Sequence, residues 1–148
     1  MARFSAVVVA LSLVVLGGCA SGPKSTSPST AAAKVTTVPS LKVVLDCGAC
    51  EVRPTVPGLI QEGYNAAAAD AGAKVSTSTE AVLTIKEYAD RNDSARFFAG
   101  AFAGKDAIKA TLVAGGKEFT IEDYYRNAWK GIESLAKKIG ASAFEELE

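Results

Sequence analysis

Cys47-Gly48-Ala49-Cys50 is the stretch of this chain whose spacing suggests the most chemistry. Two thiols with two residues between them suit a disulfide, a redox couple or half of a zinc site. Zinc fails on ligands, because the chain holds three Cys and no His and so lacks a second pair. The missing His also removes Ser-His-Asp and Cys-His nucleophiles and any His pH switch. A thioredoxin-type couple needs its first Cys at a helix N-terminus, where the dipole favours the thiolate. Here Arg53, Pro54 and Pro57 follow, and a helix does not propagate from Cys50 through that sequence. The pair reads as a local structural disulfide in an oxidising compartment. A thiol-disulfide protein using Cys47 and Cys50 is the alternative.

A second candidate is the aromatic run Arg96-Phe97-Phe98-Ala99-Gly100-Ala101-Phe102-Ala103-Gly104-Lys105-Asp106. Gly104-Lys105 is no phosphate loop: the glycines stand one residue too close and Asp replaces the required Ser or Thr. One reading makes the three Phe part of the core. The other makes them a hydrophobic patch, rimmed by Arg91, Arg96 and Lys105, that docks a partner or the membrane or holds a lipid-like ligand. Phe97 and Phe98 are adjacent, so in an extended strand they point to opposite faces and one is left outward. Asp90, Asp93, Asp106, Glu122 and Asp123 match no calcium loop and read as solvated charge, with Glu122-Asp123 as an acidic helix start. Tyr124, Tyr125 and Trp129 read as packing at the start of the last helix. No catalytic residue, metal or cofactor is expected.

The 16 basic residues balance the 16 acidic ones, and their scatter gives no nucleic-acid footprint. Met1-Ala2-Arg3 carries one positive charge ahead of an apolar run from Phe4 to Leu16. As a helix that run reaches roughly 20 Å, short of the ~30 Å hydrocarbon core, and so reads as a secretory signal peptide over 1–18. The junction Leu16-Gly17-Gly18-Cys19 resembles the lipobox of bacterial lipoproteins, whose Cys becomes the lipidated mature N-terminus. The resemblance implies a diacylglycerol on the Cys19 sulfur, an acylated amine and membrane attachment through those chains. It further implies palmitate-type acyl groups and, with Ala20 in place of a retention Asp, an outer-membrane anchor whose domain faces the periplasm.

Residues 19–40, rich in Ser, Thr, Ala and Pro, read as a disordered tether. The folded unit is placed at 41–148. Leu41 to Asp46 reads as a strand, and Pro57 opens a helix that Gly72 stops. Lys74-Val75-Ser76 forms a short strand, Ala81 to Arg91 a second and Ala107 to Ala114 a third. Gly115-Gly116 turns the chain back into Lys117 to Ile121. A helix from Tyr124 to Ile139, stopped by Gly140, closes the chain. The order is β-α-β-β-β-β-α, an α+β fold with a mainly antiparallel sheet of about four to five strands and two helices on one face.

The segment Arg91 to Lys117 resembles a broad group of uncharacterised bacterial envelope lipoproteins. The likeness rests on an Arg-led start, the spaced Gly100 and Gly104, an alternating strand Ile108 to Leu112, a Gly116-Lys117 turn and a closing helix. That group is similar in fold to outer-membrane lipoproteins that assist polysaccharide export or stimulate peptidoglycan synthases. The implied function is non-enzymatic: a lipid-anchored accessory or binding protein in envelope assembly or transport. Its expected partner is another envelope protein or a second copy.

Overall fold

A computed structural model describes residues 36–91, 104–127 and 129–148. Six elements follow in order: β1 (Thr37–Leu45), α1 (Val56–Asp70), β2 (Lys74–Ala89), β3 (Asp106–Ala114), β4 (Lys117–Tyr125) and α2 (Ile132–Glu145). The four strands lie in the order β1-β2-β3-β4, with β1 parallel to β2 and the other pairs antiparallel. The chain is therefore α+β with a mixed, mainly antiparallel sheet.

Strand alternation decides which face is covered. Leu83 and Ile85 of β2, Ile108, Ala110 and Leu112 of β3, and Ile121 of β4 are buried beneath both helices. The intervening residues Lys86, Lys109, Glu118 and Glu122 face away from them, as period-2 patterning requires. On α1, Val56, Ile60, Tyr64 and Ala68 recur on one stripe, and on α2, Ile132, Leu135, Ala136, Ile139 and Ala143 do the same. Gly115 and Gly116, with φ of +57° and +79°, form the hairpin turn between β3 and β4.

Several boundaries differ from the sequence reading. First, the short strand at Lys74 and the strand at Ala81 are one element. Strand β1 pairs with both parts, Thr37–Pro39 against Lys74–Ser76 and Ser40–Leu45 against Glu80–Ile85, and the register jumps at Pro39, which cannot donate to a ladder. The strand also begins at Thr37, within the stretch assigned to the tether.

Second, the last helix starts at Ile132, so Tyr124, Tyr125, Glu122 and Asp123 belong to β4 and Gly131 caps the helix in an extended conformation. Third, Gly140 lies inside that helix and does not stop it. A Cβ on Gly140 would stand 1.9 Å from the Ile60 carbonyl oxygen, and one on Gly63 would stand 2.0 Å from that of Lys137. The two helices cross backbone to backbone at these glycines, and contact outweighs helix propensity.

Candidate functional site

One end of the sheet collects most of the residues that sequence reasoning singles out. There β1 runs into the Cys47–Cys50 turn, β2 ends at Ala89, β3 begins at Asp106 and β4 ends at Tyr125. A β-bulge prepares this end. Ile85 pairs with Ala110 and Glu87 with Lys109, so Lys86 has no partner in the ladder. The extra residue reverses the alternation and brings Tyr88, opposite Ile108, onto the helix-covered face.

Beyond the bulge, two ion pairs close the end. Arg91 is 5% exposed and Asp106 is fully buried. The Arg91 backbone N–H donates to Asp106 Oδ1 at 2.8 Å, and its Nη2 donates to Oδ2 at 3.0 Å. The same guanidinium donates to the carbonyls of Arg126 at 3.3 Å and Asn127 at 3.0 Å, joining β2, β3 and the exit of β4. Arg91 Nε has no partner among the described residues. The second pair joins Arg53, just after the cysteine turn, to Asp90: Nε bonds Oδ2, and Nη2 donates to Oδ1 at 3.2 Å. Tyr88 Oη donates to Asp90 Oδ2 at 3.4 Å, and burial, with the Asp90 charge adding to it, holds the Tyr88 phenol above its ordinary pKa.

These placements correct two expectations. The sequence reading sets Arg91 on an exposed basic rim, but it is buried, its guanidinium donating to a carboxylate and two backbone carbonyls. Asp106 reads as solvated in sequence, yet it is the acceptor at the centre of that group. Lys105 is exposed. Arg96, Phe97, Phe98 and Phe102, with Asp93, lie outside the described residues, as does Cys19.

Cys47 and Cys50 are disulfide-bonded, with Cα atoms 5.6 Å apart. Gly48 takes φ +66° in the turn between them, a conformation that favours Gly. Helix α1 begins only at Val56, past Pro54, so neither Cys stands at its N-terminus. The arrangement lacks the electropositive helix end that activates a redox Cys.

This end also carries aromatic and basic side chains. Tyr124 and Tyr125 are neighbours on β4 and point to opposite faces. Lys105 Nζ and the Arg126 guanidinium lie 5.0 and 5.4 Å from the Tyr124 ring centre. Lys130 and Lys138 lie 5.4 and 5.8 Å from that of Tyr125. Lys138 also pairs with Asp123, whose hydrogen bond raises the Lys138 pKa. Tyr124 is 48% exposed, and Trp129 is 91% exposed instead of packed. Sequence reasoning misses this exposure because it places all three rings on a helix. The run of charges around them (Arg126, Lys130) is the available signal.

Among the described residues, no helix is long and apolar enough to cross a membrane, and no group of three acidic, Cys or His residues is placed to hold a metal ion.

No family model and no curated protein matches this chain. Among solved structures, it is similar to a PelC dodecamer from Paraburkholderia phytofirmans, at 15% identity and a TM-score of 0.44 over 74% of this chain and 82% of that one. It is also similar to the crystal structure of an uncharacterised protein, at 10% identity and a TM-score of 0.34 over 76% and 84%.

Proposed function

We propose that this protein is a non-enzymatic, lipid-anchored envelope protein that works by binding, and that the aromatic, basic end of its sheet is the contact surface. The observation that carries the binding role is Trp129, a large apolar ring held 91% exposed in the segment that also carries Tyr124, Arg126 and Lys130. Cations already stand over the neighbouring tyrosine rings, Lys105 and Arg126 at Tyr124 and Lys130 at Tyr125. An exposed Trp among cations is the composition of an interface anchor, and the cationic rim fits an anionic partner surface. The buried pair Arg91–Asp106 and the part-buried pair Arg53–Asp90 are engaged in one another's support, which favours a structural role for them. The anchor reading rests on Leu16-Gly17-Gly18-Cys19 after the apolar run: a thioether on Cys19 would hold the domain at the outer membrane, facing the periplasm.

Two measurements test the two halves. A photo-crosslinking amino acid at position 129 should give a discrete adduct in the native envelope, and the same probe at position 117, at the opposite end of the sheet, should not. Equal labelling at both positions, or none at 129, overturns the contact surface. Radiolabelled palmitate should enter the wild type and not Cys19→Ser, and equal incorporation overturns the anchor.

A further inference from the structure

The cysteine turn lies between two points at which the same connection is fastened to β2. On its N-terminal side, Asp46 donates its backbone N–H to the Ile85 carbonyl at 3.0 Å, and its carboxylate binds Lys86. On its C-terminal side, Arg53 grips Asp90 through two guanidinium nitrogens, and its carbonyl accepts the Val56 N–H at 3.0 Å at the start of α1. The disulfide sits in the slack between these fastenings. It closes a four-residue turn in which the Cys50 N–H reaches the Cys47 carbonyl at 3.4 Å. Opening it returns backbone freedom to residues 47–50, and every rotamer of that freed segment competes with the one geometry that seats Arg53 on Asp90.

We propose that the Cys47–Cys50 disulfide is a redox-sensitive brace: closed, it seats Arg53 on Asp90 and so fixes the end of β2, and opened, it lets that bridge and the adjoining Arg91–Asp106 contact loosen. The reductant is a dithiol. One of its thiolates attacks one Cys sulfur, which breaks the Cys47–Cys50 bond and releases the other Cys as a thiolate. Its second thiolate then displaces the bound Cys sulfur, and the two protein thiolates take up the two protons the dithiol gave up. Two electrons pass to the protein, which ends as two thiols, while the reductant ends as its own disulfide. The pair acts as the recipient in this exchange. The inference is independent of the binding role proposed above, because it concerns the order of this end and not what docks there.

Amide hydrogen exchange of the full chain, read residue by residue, tests it. The key probe is the Arg91 amide, which donates to Asp106 Oδ1. Reduction with dithiothreitol, verified by mass, should speed its exchange about tenfold, and a Cys47→Ser, Cys50→Ser variant should match the reduced protein without any reductant. Arg53→Gln, kept oxidised, should show the same acceleration, and reducing that variant should add little. The Leu112 and Ile121 amides of the β3–β4 hairpin should be unchanged throughout. An unchanged Arg91 amide after verified reduction overturns the brace. So does equal acceleration of Arg91 and Leu112, which would mean global loosening, and so does full additivity of reduction and Arg53→Gln.

Discussion

Arg91 and Asp106 stand fifteen positions apart in sequence and are joined inside the fold through both the backbone amide and the guanidinium of Arg91. The pair ties the end of β2 to the start of β3. In this setting the loss of one member matters more than the net value of the pair. Asp106→Asn should therefore destabilise the protein by about 3–5 kcal/mol in chemical denaturation, because it leaves the guanidinium buried without its counter-charge. Arg91→Met combined with Asp106→Leu should not recover that loss, because it leaves the Arg91 N–H without its carboxylate acceptor and the Arg126 and Asn127 carbonyls without their donor. A single variant that costs less than about 1 kcal/mol would mean that the pair behaves as a solvated one.

The helix crossing gives a sharper expectation. Ala normally improves a helix over Gly by about 1 kcal/mol. At Gly63 and Gly140 the added Cβ would meet main-chain carbonyl oxygens at 2.0 and 1.9 Å, and main chain cannot rotate aside. Both Gly63→Ala and Gly140→Ala should lower the melting temperature, whereas Gly58→Ala, with open space around it, should not. A neutral Gly140→Ala in a thermal melt would contradict the close crossing.

Tyr64 links the first helix to the first strand. Its hydroxyl donates to the Pro39 carbonyl at 2.6 Å, at the register jump, and its ring meets Phe144 edge-on at 6.0 Å. Burial pushes its phenol up to about 12. The folded state thus favours the neutral form, so this contribution to stability is complete below the unfolded pKa near ~10 and is lost as pH rises through about 12. In a phenolate absorbance titration, the highest-pH step should disappear in Tyr64→Phe, with a stability cost of about 1 kcal/mol for the lost hydrogen bond. Retention of that step in Tyr64→Phe would assign it to another tyrosine.

Trp129 is expected to separate stability from contact. A side chain this exposed buries almost nothing within the domain, so Trp129→Ala should change unfolding free energy by no more than about 0.5 kcal/mol. A larger loss would show that the ring packs within the domain and would count against an external surface.

The α+β class is legible because period-2 alternation at Ile108, Ala110 and Leu112 and the Gly115-Gly116 turn are local signals, and tertiary contacts reinforce them. The extent of α2 is not legible. Gly140 reads as a stop in isolation, and only the backbone of Ile60, far away in sequence, makes it an internal packing residue. Tyr124 and Tyr125 read as helical because the run up to Ile139 keeps a helical stripe, yet pairing with Ala107 and Asp106 extends β4 through them. Arg91 and Asp106 each resemble ordinary surface charge. Their burial follows from a pairing across the sheet end that no short-range pattern encodes, and the bulge at Lys86 that aims Tyr88 inward is equally silent in sequence. The cysteine pair is the most legible feature of this end, because a two-residue spacing and two prolines act over one turn.

The parallel pairing of β1 with β2 has a consequence for the order in which the chain assembles. Strands β3 and β4 meet through a two-glycine turn, and such hairpins zip within microseconds. Thr37, by contrast, finds its partner at Lys74 only after α1 has been traversed, so β1 is synthesised before its partner and is completed late. Until Lys74–Ala89 is available, Val38, Leu41, Val43 and Val44 form an apolar segment with no ladder to join. Such a segment invites pairing with another nascent chain, and a holding chaperone would have the most to gain by covering this strand.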